Sequence, residues 1–240
     1  MNIFVCENES AFDIAFARLL AQEVRTNPSL NLGLSTGQTT RGGYVELARM
    51  CAAGEVSFAD ASLWSIDMDL GLPHDHPMSA FQIMKREVFD VLDVRPECCH
   101  WPDGGTEDGQ AEMNAYVDAL EAAGGLDVQV LALGINGHIG LNQPGSPLNS
   151  TRVVCRLMDK HVREVDGIRY DWGLTLGLAD IMHARKLLFC AKGAHKADIV
   201  ARALAGEVSP ECPASVVQLH PNATVLLDVA AAAKLNVEGA

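Results

Sequence analysis

The segment Asp127-Val128-Gln129-Val130-Leu131-Ala132-Leu133 is apolar apart from Gln129 once it has begun, and it runs directly into a glycine. A strand with no polar alternation is buried on both faces, the condition of a central strand in a parallel sheet. Shorter runs at Leu30–Leu34, Leu63–Ile66, Lys186–Ala191 and Ala223–Leu227 read as further strands. Amphipathic segments fall between them. Tyr44, Leu47, Ala48 and Cys51 recur at helical spacing, as do Met113, Tyr116, Val117 and Leu120, and then Ile199, Val200, Ala203 and Leu204. Ser79 reads as the N-cap of a helix presenting Phe81, Met84, Val88 and Val91 on one face. Strands alternating with helices predict an α/β fold: an open, mostly parallel sheet with helices on both faces, three layers in the Rossmann manner. Without a linker, repeat or low-complexity tract, residues 1–240 are expected to form a single domain.

Charge narrows the function. The chain carries 18 basic and 31 acidic residues, a formal net charge of −13, with no Lys/Arg cluster. Nucleic acid and anionic membranes would repel such a surface, so neither is an expected partner. No apolar run is long enough to span a bilayer, and no basic stretch precedes the apolar residues of the N-terminus. Seven cysteines, an odd number without a CxxC pair, read mostly as buried free thiols. A cytoplasmic protein is therefore expected.

In open parallel sheets, ligands bind beyond the carboxyl ends of the strands. Three loops leave such ends. Ser35-Thr36-Gly37-Gln38-Thr39-Thr40 combines a glycine with hydroxyl side chains at a helix start, which suits an anion; a plain capping turn would look the same. It lacks the Gly-Lys-Ser/Thr ending of a Walker loop. In Asp67-Met68-Asp69-Leu70-Gly71-Leu72-Pro73, strand alternation puts both carboxylates on one face, where either could be a general base or merely cap the turn. The third loop, Gly134-Ile135-Asn136-Gly137-His138-Ile139-Gly140-Leu141-Asn142-Gln143-Pro144, holds one ionisable side chain, His138, among glycines that let the backbone approach a ligand. His74 and His76 form an HxH pair, but no third ligand is identifiable, and no metal is expected.

These loops, in this order, resemble the glucosamine-6-phosphate deaminase family, whose relatives include galactosamine-6-phosphate isomerases and, more distantly, 6-phosphogluconolactonases. The similarity runs from about Leu30 to Asp228 and is most specific in Asn136-Gly137-His138-Ile139-Gly140-Leu141-Asn142 followed by Pro144-Gly145. A lactonase would follow its Gly-His with a different run ending in Phe-Pro. By this resemblance Thr36, Gly37, Gln38 and Thr39 form the loop that holds the substrate phosphate, and Lys196 is the phosphate-binding lysine. Asp67 falls on the proton-shuttling carboxylate and His138 on the histidine that opens the sugar ring. Only proton transfers and hydration are then needed, so no cofactor is implied, and the implied partner is a small sugar phosphate.

The chain also departs from the pattern. Gln143 stands where these deaminases usually carry a glutamate supporting the histidine, and Asn136 where some members have Asp. Two neutral amides withhold the negative charge that would favour protonated His138. Asp69 or another carboxylate could compensate. The segment between Arg156 and Trp172 is short and is the lid candidate; Arg163 and Arg169 both qualify as the phosphate-clamping arginine. Val153 and Cys155 occupy the positions of the basic allosteric pair of hexameric members, so activation by an acetylated sugar phosphate is not expected. The resulting expectation is a deaminase/isomerase acting on glucosamine 6-phosphate or galactosamine 6-phosphate. Lactone hydrolysis and a non-catalytic sugar-phosphate sensor are the alternatives, and monomer or homo-oligomer stays open.

Overall fold

A computed structural model describes residues 1–158 and 161–235. Seven strands form the central sheet: β1 (Asn2–Cys6), β2 (Asn31–Leu34), β3 (Ser62–Ser65), β5 (Cys99–His100), β6 (Val128–Ala132), β11 (Lys186–Ala191) and β12 (Ala223–Asp228). Their order is β1-β12-β11-β6-β2-β3-β5, and every pairing is parallel. The expected open parallel sheet is thus present, and its central strands β2, β6 and β11 are buried on both faces because helices cover both, while the edge strand β1 is largely exposed.

One face is covered by α1 (Glu9–Thr26) and α2 (Gln38–Ala52), whose Phe12, Phe16, Leu20, Tyr44 and Leu47 pack on Leu32, Val130 and Leu226. Asn8 starts α1 by accepting the Ala11 amide at 2.9 Å. The other face is covered by α4 (Gly109–Ala122), α5 (Leu178–Met182) and α6 (Ala197–Ala205), which bury Met113, Tyr116, Ile181 and Val200 against Leu131, Phe189 and Val225. Gln129, the polar break in the central run, faces Gly33 across the β2–β6 pair. A Cβ on Gly33 would stand 2.2 Å from its amide oxygen, so the missing side chain makes its room.

A second, antiparallel sheet is built from β4 (Asp67–Leu70), β10 (Trp172–Thr175) and β7 (Val153–Arg156), in the order β4-β10-β7. One residue, Ile66, separates β3 in the large sheet from β4 in the small one. Its amide donates to Leu34 O and its carbonyl accepts from the Leu176 amide, both at 3.0 Å, so it belongs to both sheets. β8 (Arg163–Val165) and β9 (Ile168–Tyr170) form a separate hairpin.

The helix expected after Ser79 is shorter than its apolar pattern. Ser79 caps α3 (Ala80–Met84) through Gln82 N, at 3.1 Å, but Lys85–Phe89 continues as a π-helical turn. The wider turn carries Val91 off the buried face, and it is 41% exposed. The thiols also differ from expectation. All seven are free, but only Cys190 and Cys212 are fully buried. No helix among the described residues is long and apolar enough to cross a membrane.

Candidate active site

The chain proceeds from β2 toward one edge of the sheet and from β6 toward the other, which makes the gap between these neighbours the switch point of the topology. A cavity of about 450 Å³ opens there, lined by the loops after β2, β6 and β11 and by β4.

At one end stand Thr36, Gly37, Gln38, Thr39 and Lys196. Gly37 has φ 142°, a conformation open to glycine, and lets the turn enter α2 with no side chain over its first amides. Those amides and the positive end of a 15-residue helix favour an anion. Lys196 comes from a 3₁₀ turn after β11 and is 8% exposed. Its ammonium donates to Thr39 Oγ1 and Leu133 O, both at 2.7 Å, so the charge is aimed before any ligand arrives. Replacing Lys196 by Met is expected to raise KM for a sugar phosphate about 10- to 100-fold, the weight of one charge-assisted contact, with a smaller change in kcat. Steady-state kinetics check this; an unchanged KM would remove Lys196 from the anion site.

Across the cavity, β4 presents Asp67 and Asp69 on one face, as strand alternation requires. Burial, then the charge of Asp69, pushes the Asp67 carboxyl up to about 7. Asp69 Oδ2 accepts the Ala80 amide at 2.7 Å. Its carboxyl is also raised by burial, and that backbone hydrogen bond and Arg163 oppose the rise.

The third wall is the glycine-rich loop after β6. Gly134 N donates to His138 O at 2.9 Å and Gly137 N to Gly134 O at 3.0 Å, while Ala214 N donates to Gly137 O at 2.9 Å. Gly137, at φ 90°, leaves no room for a Cβ, which would meet Cys212 Sγ at 2.8 Å. His138 is thereby fixed and 7% exposed. Its Nδ1 lies 2.5 Å from Asn136 Oδ1, an acceptor, so Nδ1 carries the proton in the neutral ring and Nε2 the lone pair. Asn136 Nδ2 in turn faces Gln143 Oε1 at 3.5 Å and Met158 Sδ at 3.2 Å. Neither Asn136 nor Gln143 lines the cavity. They form a neutral amide relay that orients His138 from the protein side.

Of the two candidate arginines, Arg163 lines the cavity and Arg169 does not. Arg163 is held by Met78 O at 3.4 Å and His161 O at 3.2 Å. Other cavity residues had no warning in the sequence pattern. His161, whose ring stands edge-on to His138 with centroids 5.3 Å apart, comes from a stretch without periodicity. His195 adjoins Lys196, and Leu157 is an isolated apolar residue; Ser35, the buried first residue of the anion turn, lies within the loop the sequence singled out. The HxH pair is taken up in turn structure: His74 Nε2 lies 3.0 Å from Asp103 Oδ1, and His76 Nδ1 accepts the Met78 amide at 3.2 Å. Among the described residues, no group of three or more His, Cys, Asp or Glu side chains could hold a metal ion.

Comparison with known proteins gives the family and the fold. The family model described as glucosamine-6-phosphate isomerases/6-phosphogluconolactonase matches residues 9–226. A glucosamine-6-phosphate deaminase of Hahella chejuensis is 36% identical over 243 residues, covering 99% of this chain and 93% of that protein. One from Corynebacterium kroppenstedtii is 42% identical over 210 residues, covering 84% and 80%. Among solved structures, a monomeric glucosamine-6-phosphate deaminase superposes with a TM-score of 0.91 at 31% identity, covering 98% of this chain and all of the other. The 6-phosphogluconolactonase of Trypanosoma brucei superposes at 0.77 with 21% identity, covering 98% of each chain, a likeness of fold.

Proposed function

The chain belongs to the glucosamine-6-phosphate isomerase/6-phosphogluconolactonase family, and on that premise we propose that it is an amino-sugar-phosphate deaminase/isomerase. It converts glucosamine 6-phosphate or galactosamine 6-phosphate into the ketose 6-phosphate and ammonia. The supporting observation is that one cavity joins a carboxyl able to exchange protons near neutral pH, an oriented histidine and a built anion site.

The substrate phosphate sits on the turn Thr36–Thr39 and Lys196, with Arg163 as the arginine we assign to it. His138 Nε2 takes the proton of the anomeric hydroxyl and returns it to the ring oxygen, which breaks the C1–O5 bond and gives the open-chain aldehyde. Asp67 removes the C2 proton and delivers it to C1, while a proton of the C2 amine passes to O1, so that the aldehyde becomes a primary alcohol and C2 an imine. Water adds at C2, the carbon–nitrogen bond breaks and ammonia leaves with the ketone in place. A phosphorylated substrate supports a cytoplasmic setting, and we treat residues 1–240 as one catalytic domain.

The test is ammonia release from each amino-sugar phosphate, run beside 6-phosphogluconolactone hydrolysis. Ammonia from at least one sugar is expected. Lactone consumption without ammonia would move the chain to the hydrolytic side of its family, and melting shifts without either reaction would make it a sensor.

The amide relay gives a second prediction. Among the described residues Gln143 Nε2 is buried without a hydrogen-bond partner, while its Oε1 receives Asn136. Gln143→Glu replaces that orphan donor with an acceptor and places a negative charge one amide away from His138. Turnover is expected to rise roughly three- to tenfold, because the charge favours the protonated ring that donates to the ring oxygen. Unchanged kcat would mean that Asn136 alone supports the histidine.

A further inference from the structure

A base that shuttles a proton must hold it between two carbons without losing it to a stronger acceptor, and this chain has an unusual neighbour for its base. Asp69 is buried, at 8% exposure, and shares a strand face and a cavity wall with Asp67. Burying two carboxylates side by side is costly unless one of them is compensated. Asp69 is the compensated one. The Ala80 amide donates to its Oδ2 at 2.7 Å, and Arg163 faces it from the hairpin. Among the described residues the Asp67 carboxylate has no hydrogen-bond partner; Ser65 Oγ donates to the Asp67 backbone carbonyl at 2.9 Å. Opposite Asp69 on β10 stands Gly173, which brings no side chain against it.

We propose that Asp69 is a positioning residue for proton transfer: it holds the negative charge of the pair, so that the shuttled proton resides on Asp67 between its removal from C2 and its delivery to C1. The inference rests on the deaminase reading and deepens it. It also supplies the compensation that the neutral pair Asn136 and Gln143 leaves to be found, by strengthening the base instead of the acid.

The groups that bear on Asp67 come from every neighbouring element. Tyr116 of α4 and Cys155 of β7 are uncharged at neutral pH, both held above their ordinary values by burial and by Asp67 itself. Arg163 of the hairpin, His138, His161, His195 and Lys196 line the same cavity, and Asp103, beside His74, lies on the loop whose Gly104 packs on the Asp69 backbone. β10 contributes no ionisable side chain, and from α3 comes the Ala80 amide. Asp69 is the like charge that acts on Asp67, after burial.

Asp69→Asn keeps an acceptor for the Ala80 amide and removes the charge, and Asp69→Ser does the same with a shorter side chain. The Asp67 carboxyl is followed by carbon-13 NMR titration of the full chain, assigned with Asp67→Asn. In either folded variant its midpoint is expected to fall by roughly one pH unit. The acid limb of kcat/KM is expected to move down with it, and plateau kcat to drop several-fold as the base weakens. A midpoint that stays in place in a variant with wild-type melting temperature overturns the proposal. The titration needs no turnover, so if the wild-type chain released no ammonia, the deaminase reading would fail while the placement of the proton would still be decided.

Discussion

Asp67→Asn is expected to abolish ammonia release, by about a thousandfold or more, while making the protein more stable at pH 8. The two effects have one cause. A carboxyl pushed up to about 7 by burial and by Asp69 is a strong base for its position, and an amide cannot take a proton from C2. The folded-state value lies above the unfolded one, so the neutral acid is the form that folding favours. Its contribution is fully present below about pH 4, declines as pH rises toward 7, and is gone above that, where the buried anion opposes folding. The amide carries no such penalty. Melting curves of wild type and variant should therefore coincide best near pH 4 and separate as pH rises to 7, the variant melting higher. Equal melting temperatures at pH 8 would show that Asp67 is better solvated than its surroundings imply.

Gly134→Ala is expected to cost about a hundredfold in kcat with little change in KM. The added Cβ would lie 2.0 Å from His138 Cε1, 2.1 Å from Nδ1 and 2.5 Å from Nε2, so the ring must move. Displacement of a catalytic group by about an ångström has this scale of effect. The anion site stands on other elements, Thr36–Thr39 and Lys196, and binding should survive. Such a kcat-against-KM split separates loss of histidine placement from loss of the fold, and a drop in both would indicate general disruption of the loop. The companion variant His138→Gln, which removes the ring without straining Gly134, should match it in kcat.

Legibility followed burial and local chemistry. The central strand was readable because it is apolar on both faces, and its loop because three glycines surround one histidine. Asp67 and Lys196 were reached through family resemblance, since a carboxylate at a strand end and a lysine in a turn have many structural uses. β4 was seen only as a loop with two acids: four residues reading Asp-Met-Asp-Leu alternate correctly, but the polar face is a cavity wall. α1 was missed in the sequence although its stripe Phe12, Phe16, Leu20 and Val24 keeps i, i+4 spacing, because it lies away from the chemically unusual loops. The hairpin Arg163–Tyr170 has no buried face to leave a period in the sequence, so choosing Arg163 over Arg169 required coordinates. The π turn after Met84 left no sign at all, and Val91 was assigned to the wrong side for that reason.

Ile66 marks the seam between two sheets, and the seam also divides the labour of the site. The large sheet supplies the anion turn, Lys196 and His138; the small one supplies Asp67 and Asp69. Hydrolysing an ester beside an anchored phosphate asks only for the first set, whereas moving hydrogen between adjacent carbons asks for both. The small sheet is in this sense an exchangeable cartridge. A substitution at Asp67 or Asp69 therefore alters the acids while Thr36–Thr39 and Lys196, carried by other elements, keep their places.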